Sequence, residues 1–172
     1  MKFTNSQLFN DELPKIGDVI LKPISKQFIK VIALNKLLLY SIIFLVLFLA
    51  KWFIPNDGIQ QNFWYLFTIL LVFSILNFGS ALLAFSKRKY AIRTLDIIYA
   101  KGLLVNSITT VPISRIQHVE VSRSWLARRF HLATLNIYTA GESGSDLSIK
   151  GLPNEVAREI NDFISAKVNG NS

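Results

Sequence analysis

The residues with the most chemistry to offer are a set of cations in the second half of the chain. Four arginines and two histidines fall between positions 115 and 131. A guanidinium group binds phosphate or carboxylate oxygens through two parallel hydrogen bonds, so the set predicts a surface for anionic lipid or an acidic protein partner. Solvated arginines that only keep a domain soluble are the alternative for any one of them. The candidate binding residues are Arg115, Arg123, Trp125, Arg128 and Arg129.

The segment from Trp125 to His131 leaves two arrangements open for its tryptophan. In the first, Trp125, Leu126 and Phe130 anchor the segment inward while the arginines stay outside. In the second, Trp125 is exposed and contacts the bilayer or a partner protein. The sequence does not decide between them.

Catalytic and metal chemistry has much weaker support. His118 and Glu120 share one face of a predicted strand, but no HxH, HExxH or carboxylate cluster supplies the further ligands that a metal site needs. The serines nearby lie outside any nucleophile-elbow context, and no glycine-rich phosphate loop follows a strand. We therefore expect no catalytic residue, no metal site, no cofactor and no enzymatic activity.

Composition points to a membrane protein. The chain has 172 residues, of which 51% are hydrophobic and 17% charged, with a mean hydropathy of +0.38. This composition is too apolar for a disordered chain, and it is more apolar than that of a typical soluble domain of this size. The absence of cysteine excludes disulfides, thiolate zinc sites and cysteine nucleophiles. The net charge of +8 suits anionic lipid or nucleic acid without choosing between them.

Two apolar stretches predict a transmembrane hairpin. Residues 34–54 contain 17 apolar residues of 21, and residues 63–85 contain 18 of 23 with no charge. At about 1.5 Å of rise per residue, helices of these lengths cross a hydrocarbon core of about 30 Å. The connection, Pro55-Asn56-Asp57-Gly58, has turn chemistry. Lysines and arginines precede the first stretch and follow the second but are absent from the connection, which predicts that both termini are cytoplasmic.

The second stretch carries small and polar residues on one helical stripe, namely Ser74, Asn77, Ala81 and Ala84. Such a stripe favours close packing against the first helix, with a hydrogen bond from Asn77. The alternative is a path for a substrate or ion, which usually needs an ionisable group that this stretch lacks. Directly after the stretch, Lys87, Arg88 and Lys89 are expected to contact anionic lipid.

From position 90 onward the sequence predicts a β-rich domain closed by a helix. After Pro153, Asn154 is a candidate cap for an amphipathic helix. We expect an antiparallel β-barrel or sandwich whose open end this helix covers. The predicted strands occupy residues 90–93, 97–100, 103–110, 116–122, 134–139 and 147–150, with a hairpin connection at 141–146.

This order of short strands and one C-terminal helix resembles a pleckstrin-homology (PH) domain. The run from Pro112 to Val119, then residues 126–135, then Thr139-Ala140-Gly141, is similar to the bacterial PH-like family of small two-span membrane proteins. The resemblance covers about residues 35–165 and implies a membrane α-helical hairpin plus an α+β PH-like domain, located in the bacterial inner membrane. Glycine would be expected where His131 stands. The first strand–strand turn, Thr94-Leu95-Asp96, has no cation, so the resemblance does not imply inositol phosphate binding.

These features predict four segments: a cytoplasmic N-terminal segment (1–33), the hairpin (34–85), a cytoplasmic PH-like domain (86–168) and a tail (169–172). We expect a non-catalytic, membrane-anchored interaction module that binds membrane lipid or a membrane or cytoplasmic protein, because its short spacer confines the domain to the membrane surface. The alternative is a subunit of a membrane enzyme or transporter acting on lipid or a small solute. Nucleic acid is not an expected partner, and exposed sheet edges leave oligomers open.

Overall fold

Two long apolar helices dominate the first half of the chain in a computed structural model, which describes residues 19–54, 57–103, 105–140 and 147–170. They are α1 (Phe28–Phe53) and α2 (Asp57–Ser86). Most of their side chains are exposed, and both helices are long and apolar enough to cross a membrane. Residues outside the described ranges include 1–18 of the predicted N-terminal segment, 55–56 of the predicted turn, the connection predicted at 141–146 and the last two residues of the tail.

The β-rich domain is a sandwich of two antiparallel sheets. The elements are β1 (Lys22–Pro23), β2 (Lys89–Ile92), β3 (Asp96–Lys101), β4 (Ser107–Pro112), β5 (Ile116–Ser122), α3 (Trp125–Arg129), β6 (Leu132–Thr139), β7 (Leu147–Pro153) and α4 (Asn154–Asn169). Across the described residues, one sheet has the order β1-β2-β3-β4 and the other the order β5-β6-β7. Helix α4 packs mainly against the second sheet, so the predicted PH-like sandwich closed by a C-terminal helix is confirmed.

Alternating side chains from both sheets fill one hydrophobic core. A fully buried isoleucine or leucine contributes about 1.5–3 kcal/mol relative to an exposed one, so these side chains supply much of the domain's stability. Helix α4 adds an apolar face to the same core, which explains why its opposite face is charged. The most deeply buried large side chains are Ile97, Ile98, Leu132, Leu135, Ile137, Ile149, Leu152 and Ile164.

The helical hairpin interrupts the four-stranded sheet. Strand β1 precedes α1 and β2 follows α2, yet the two strands pair, with Lys22 opposite Tyr90. Next to β1, Ile24 is buried in the domain core, as is Phe85 in the last turn of α2. The segment before the hairpin, predicted as residues 1–33, therefore contributes a strand to the PH-like domain. The domain boundary expected at residue 33 lies inside α1.

Two local features differ from the sequence-based expectation. The strand predicted at 103–110 begins only at Ser107, because the chain turns at Gly102. Gly102 has a φ of 132°, and the backbone of Val105 occupies the place where a Cβ of residue 102 would be. In addition, Pro153 occupies the cap position of α4, and Asn154 is the first residue of that helix.

Gly151 offers a test of how the base of α1 packs on the domain. It lies in β7 with a φ of 86°, and a Cβ at this position would be 2.5 Å from Cγ of Phe28. Gly151→Ala should lower the free energy of unfolding by about 2 kcal/mol, because it combines an unfavourable φ with overpacking. The measurement is the unfolding of the full chain in detergent.

Gly79→Ala is the matched control for this prediction. Gly79 lies in α2 with nothing within 4 Å of its would-be Cβ, so alanine should be tolerated or slightly stabilising there. Equal stabilities of the two variants would contradict the close contact between Phe28 and β7.

Candidate functional site

Helix α3 packs against the first turns of α1. Val31 of α1 is buried together with Ala127 and Leu132, and Leu126 and Phe130 are partly buried around them. In sequence, Val31 lies one turn before the apolar stretch predicted to enter the membrane. The contact therefore fixes α3 beside the point where α1 enters that stretch.

Side chains at both ends hold this short helix in place. The Ser124 hydroxyl accepts a hydrogen bond of 3.2 Å from the backbone N–H of Ala127, as an N-cap does. At the other end, the Arg123 guanidinium donates to the carbonyls of Leu132 (3.2 Å) and Arg128 (3.5 Å). A helix of five residues is marginal by itself, so these caps and the contact with Val31 are what make it form.

His131 adopts the backbone conformation for which glycine is preferred. Its φ is 54°, in the left-handed region, which costs a residue with a Cβ about 1–2 kcal/mol. Its N–H donates to the carbonyl of Arg128 (3.2 Å), and its own carbonyl accepts from the N–H of Asn154 (3.0 Å). The turn thus keeps the geometry that ends α3, although histidine stands where the family resemblance predicts glycine.

Three of the predicted binding residues form one exposed surface on α3, which we call the α3 surface: Trp125, Arg128 and Arg129. Trp125 is 74% exposed, so of the two arrangements left open by the sequence the structure has the exposed one. Neither arginine has a carboxylate partner, because the ion pair found in the described part of the chain joins Arg93 to Asp96. The α3 surface therefore presents an amphipathic ring and two free positive charges beside α1.

The other two predicted arginines do not join this surface. The guanidinium of Arg123 is committed to backbone carbonyls, so its part is to position α3. Arg115 precedes β5 whereas Arg123 follows it, and seven residues of strand separate them by about 23 Å. The set of cations that is dense in sequence is thus divided between the two ends of one strand.

His118 and Glu120 both contact Tyr138 of the neighbouring strand β6. The Tyr138 hydroxyl donates to Oε2 of Glu120 (3.0 Å), and this hydrogen bond raises the pKa of Tyr138. The ring of His118 lies 5.2 Å from that of Tyr138. In the ranges that the structure describes, no three ligand-type residues group together in a way that could hold a metal ion.

The residues after α2 divide between the surface and the interior. Lys87 and Lys89 are exposed, while Arg88 is half-buried with its guanidinium 5.9 Å from the ring centre of Phe28. The β3–β4 connection lies at this same end of the sheet, because Lys89 pairs with Ala100 near the start of that connection. It carries Val105, which is 79% exposed and which the sequence did not single out.

The stripe predicted on α2 meets α1 through a charged residue. The ammonium group of Lys36 in α1 donates a hydrogen bond to Oδ1 of Asn77. Ser74 is buried and donates to its own helix, while Ala81 and Ala84 are half-buried. The polar stripe of α2 therefore faces an ionisable group, the ammonium of Lys36, which belongs to α1 and is hydrogen-bonded to Asn77.

The chain belongs to the bacterial PH domain family, whose model matches residues 28–168 and so includes the hairpin as well as the sandwich. Fold and family together define a transmembrane protein with a PH-like domain. A similar curated protein is the UPF0699 transmembrane protein YdbS of Bacillus subtilis (strain 168), 30% identical over 109 residues. The alignment covers 63% of this chain and 64% of that protein, slightly less than two thirds of its length. No solved structure matches the chain.

The bond between Lys36 and Asn77 predicts energetic coupling between the two helices. Asn77→Leu should destabilise the hairpin by about 1 kcal/mol, because it leaves an ammonium group without its partner. Lys36→Met combined with Asn77→Leu should recover most of that loss. The measurement is a double-mutant cycle on the unfolding of the full chain in mixed micelles.

Ser80→Ala is the control, since the Ser80 hydroxyl donates to the carbonyl of Asn77 in its own helix. It should change stability by less than about 0.5 kcal/mol. Additive effects of the Lys36 and Asn77 substitutions would show that the two side chains do not stabilise each other.

Proposed function

We propose that the chain is a non-catalytic membrane module whose PH-like domain binds the anionic surface of the membrane that anchors it. The α3 surface carries this proposal. Its tryptophan is exposed to solvent in the domain, and its helix is packed on Val31 of α1. Tryptophan favours the headgroup level of a bilayer, and arginine binds phosphate oxygens in two-point fashion. Both side chain types therefore suit a position beside α1 at the membrane surface.

The proposed membrane is the bacterial cytoplasmic membrane, with both termini on the cytoplasmic side. Exposed lysines flank the hairpin in the described residues, with Lys22, Lys26 and Lys30 before the apolar part of α1 and Lys87 and Lys89 after α2. Such an excess of cations favours the cytoplasmic side of a span. The cytoplasmic leaflet is also the one whose anionic lipids attract juxtamembrane cations, by about 1 kcal/mol for each charge near the surface.

Anchoring makes weak lipid contacts sufficient. Since the domain is joined to both helices and packs on the base of α1, its local concentration at the bilayer is high without any lipid recognition. The α3 surface and Val105 then set how the domain lies on the bilayer, with one ring and one aliphatic side chain at the interface. A protein partner could use the same arginines, but lipid is favoured because α3 lies beside a membrane helix.

A fluorescence experiment tests the lipid contact. With Trp52→Phe and Trp64→Phe, Trp125 becomes the only tryptophan of the chain. In nanodiscs that contain phosphatidylglycerol, Trp125 should emit at shorter wavelength and be quenched by brominated lipid more strongly than in nanodiscs of phosphatidylcholine alone. Arg128→Gln with Arg129→Gln should remove this dependence on lipid charge.

Arg158→Gln with Lys167→Gln is the matched control, because it removes two exposed cations from α4 without touching α3. It should leave the emission of Trp125 unchanged in both lipids. If Trp125 is equally accessible to acrylamide in both kinds of nanodisc, the proposed lipid contact is wrong.

A further inference from the structure

A cleft opens between the two sheets beside the base of the hairpin. Its volume is about 330 Å³. Strands β3 and β4 form one wall, together with the residue that leads from α2 into the sheet, and β7, the edge strand of the other sheet, forms the opposite wall. The lining residues are Arg88, Tyr99, Lys101, Thr109, Leu147, Ser148 and Lys150.

Positive charge dominates the lining of this cleft. Arg88, Lys101 and Lys150 come from three separate parts of the chain, and none of the lining residues that the structure describes is acidic. No described carboxylate forms an ion pair with any of the three. Three cations around one cleft repel each other, and an anion placed between them would remove that repulsion.

Hydroxyl groups add hydrogen-bonding capacity to the same space. Tyr99 and Arg88 line the same cleft; burial raises the pKa of Tyr99, and the Arg88 guanidinium opposes that rise. The hydroxyl therefore stays protonated at neutral pH and remains a donor. Thr109, directly opposite Tyr99 in the neighbouring strand, brings a second hydroxyl to the lining.

The cleft lies at the end of the domain that faces the hairpin. Arg88 is the second residue after α2, and its guanidinium lies near the ring of Phe28 at the start of α1. Lys150 is adjacent to Gly151, whose carbonyl accepts a hydrogen bond of 3.0 Å from Ser25. A ligand held in the membrane surface could thus place its headgroup in the cleft.

We propose that this cleft binds the phosphate group of an anionic ligand, held by Arg88, Lys101 and Lys150 with the hydroxyls of Tyr99 and Thr109. Two kinds of ligand carry such a phosphate group: the headgroup of an anionic phospholipid and a free phosphorylated small molecule. The volume suits a headgroup or small phosphate ester, and the polar lining does not suit an acyl chain. This proposal goes beyond the proposed function, because the cleft shares no residue with the α3 surface.

The test uses the full chain in neutral detergent and three probes. Dioctanoyl-phosphatidylglycerol represents the lipid source, glycerol 3-phosphate represents the soluble source, and dioctanoyl-phosphatidylcholine is the zwitterionic comparison. Binding is measured by titration calorimetry. Lys101→Gln with Lys150→Gln should weaken binding of the anionic probe by about tenfold or more, because two charge-assisted contacts are lost.

Two further double variants make the result specific to the cleft. Arg158→Gln with Lys167→Gln removes the same charge from exposed positions of α4 that do not line the cleft, and it should change affinity by less than about twofold. Lys101→Arg with Lys150→Arg keeps the charge and should retain binding. Both cleft lysines are exposed, so these substitutions should leave the fold intact.

Each outcome decides the proposal. Saturable binding of phosphatidylglycerol alone supports the cleft with a lipid headgroup as its ligand, and comparable binding of glycerol 3-phosphate supports it with a soluble ligand. Absence of saturable binding for both anionic probes overturns it, as does an equal loss in the cleft variant and in the Arg158 and Lys167 control. The Lys101→Gln with Lys150→Gln variant should keep the dependence of Trp125 emission on lipid charge, so failure here is distinct from failure of the α3 surface.

Discussion

The pairing of β1 with β2 is the constraint on which the rest of the structure depends. These strands lie on either side of the helical hairpin in sequence and next to each other in the sheet, so the sheet holds the two membrane helices together at their base. Ile24 and Phe85 extend the same constraint into the hydrophobic core, and Phe28 packs against that core. The hairpin is therefore an insertion within the PH-like domain rather than an anchor tied to its end.

This arrangement explains why chemically useful residues collect at one end of the domain. Because the base of α1 is part of the domain's packing, α3 can pack on Val31 and turn Trp125 outward beside the membrane helix. Because α2 leads directly into β2, Arg88 reaches the cleft between the sheets. Arg93 shows the contrast, since it lies at the other end of β2 and forms an ion pair with Asp96. The hydrogen bond from the Arg93 guanidinium holds the pKa of the Asp96 carboxyl below its usual range.

Elements with long periodic patterns could be predicted from the sequence, whereas short elements and contacts between residues distant in sequence could not. The hairpin, most strands and α4 follow from apolar runs and alternation that span many residues. Strand β1 has two residues, one of them a proline tolerated only at a sheet edge, and therefore gives no periodic signal. Helix α3 forms through caps and through Val31, which is almost a hundred positions away. The cleft has no signal in the sequence, because its three cations are distant from one another along the chain. Arg115 and Arg123 show the reverse case, since they are close in sequence but lie at opposite ends of β5.

The most direct test of this account measures whether the domain is held rigidly on the hairpin. The chain has no cysteine, so Leu83→Cys in α2 and Asp162→Cys in α4 give two spin-label sites at exposed positions. Electron paramagnetic resonance on the labelled chain in nanodiscs should give a single narrow distance distribution, which Phe28→Ala with Val31→Ser broadens. A broad distribution in the otherwise unchanged chain would show a domain that swings freely about the end of α2, and would contradict the account.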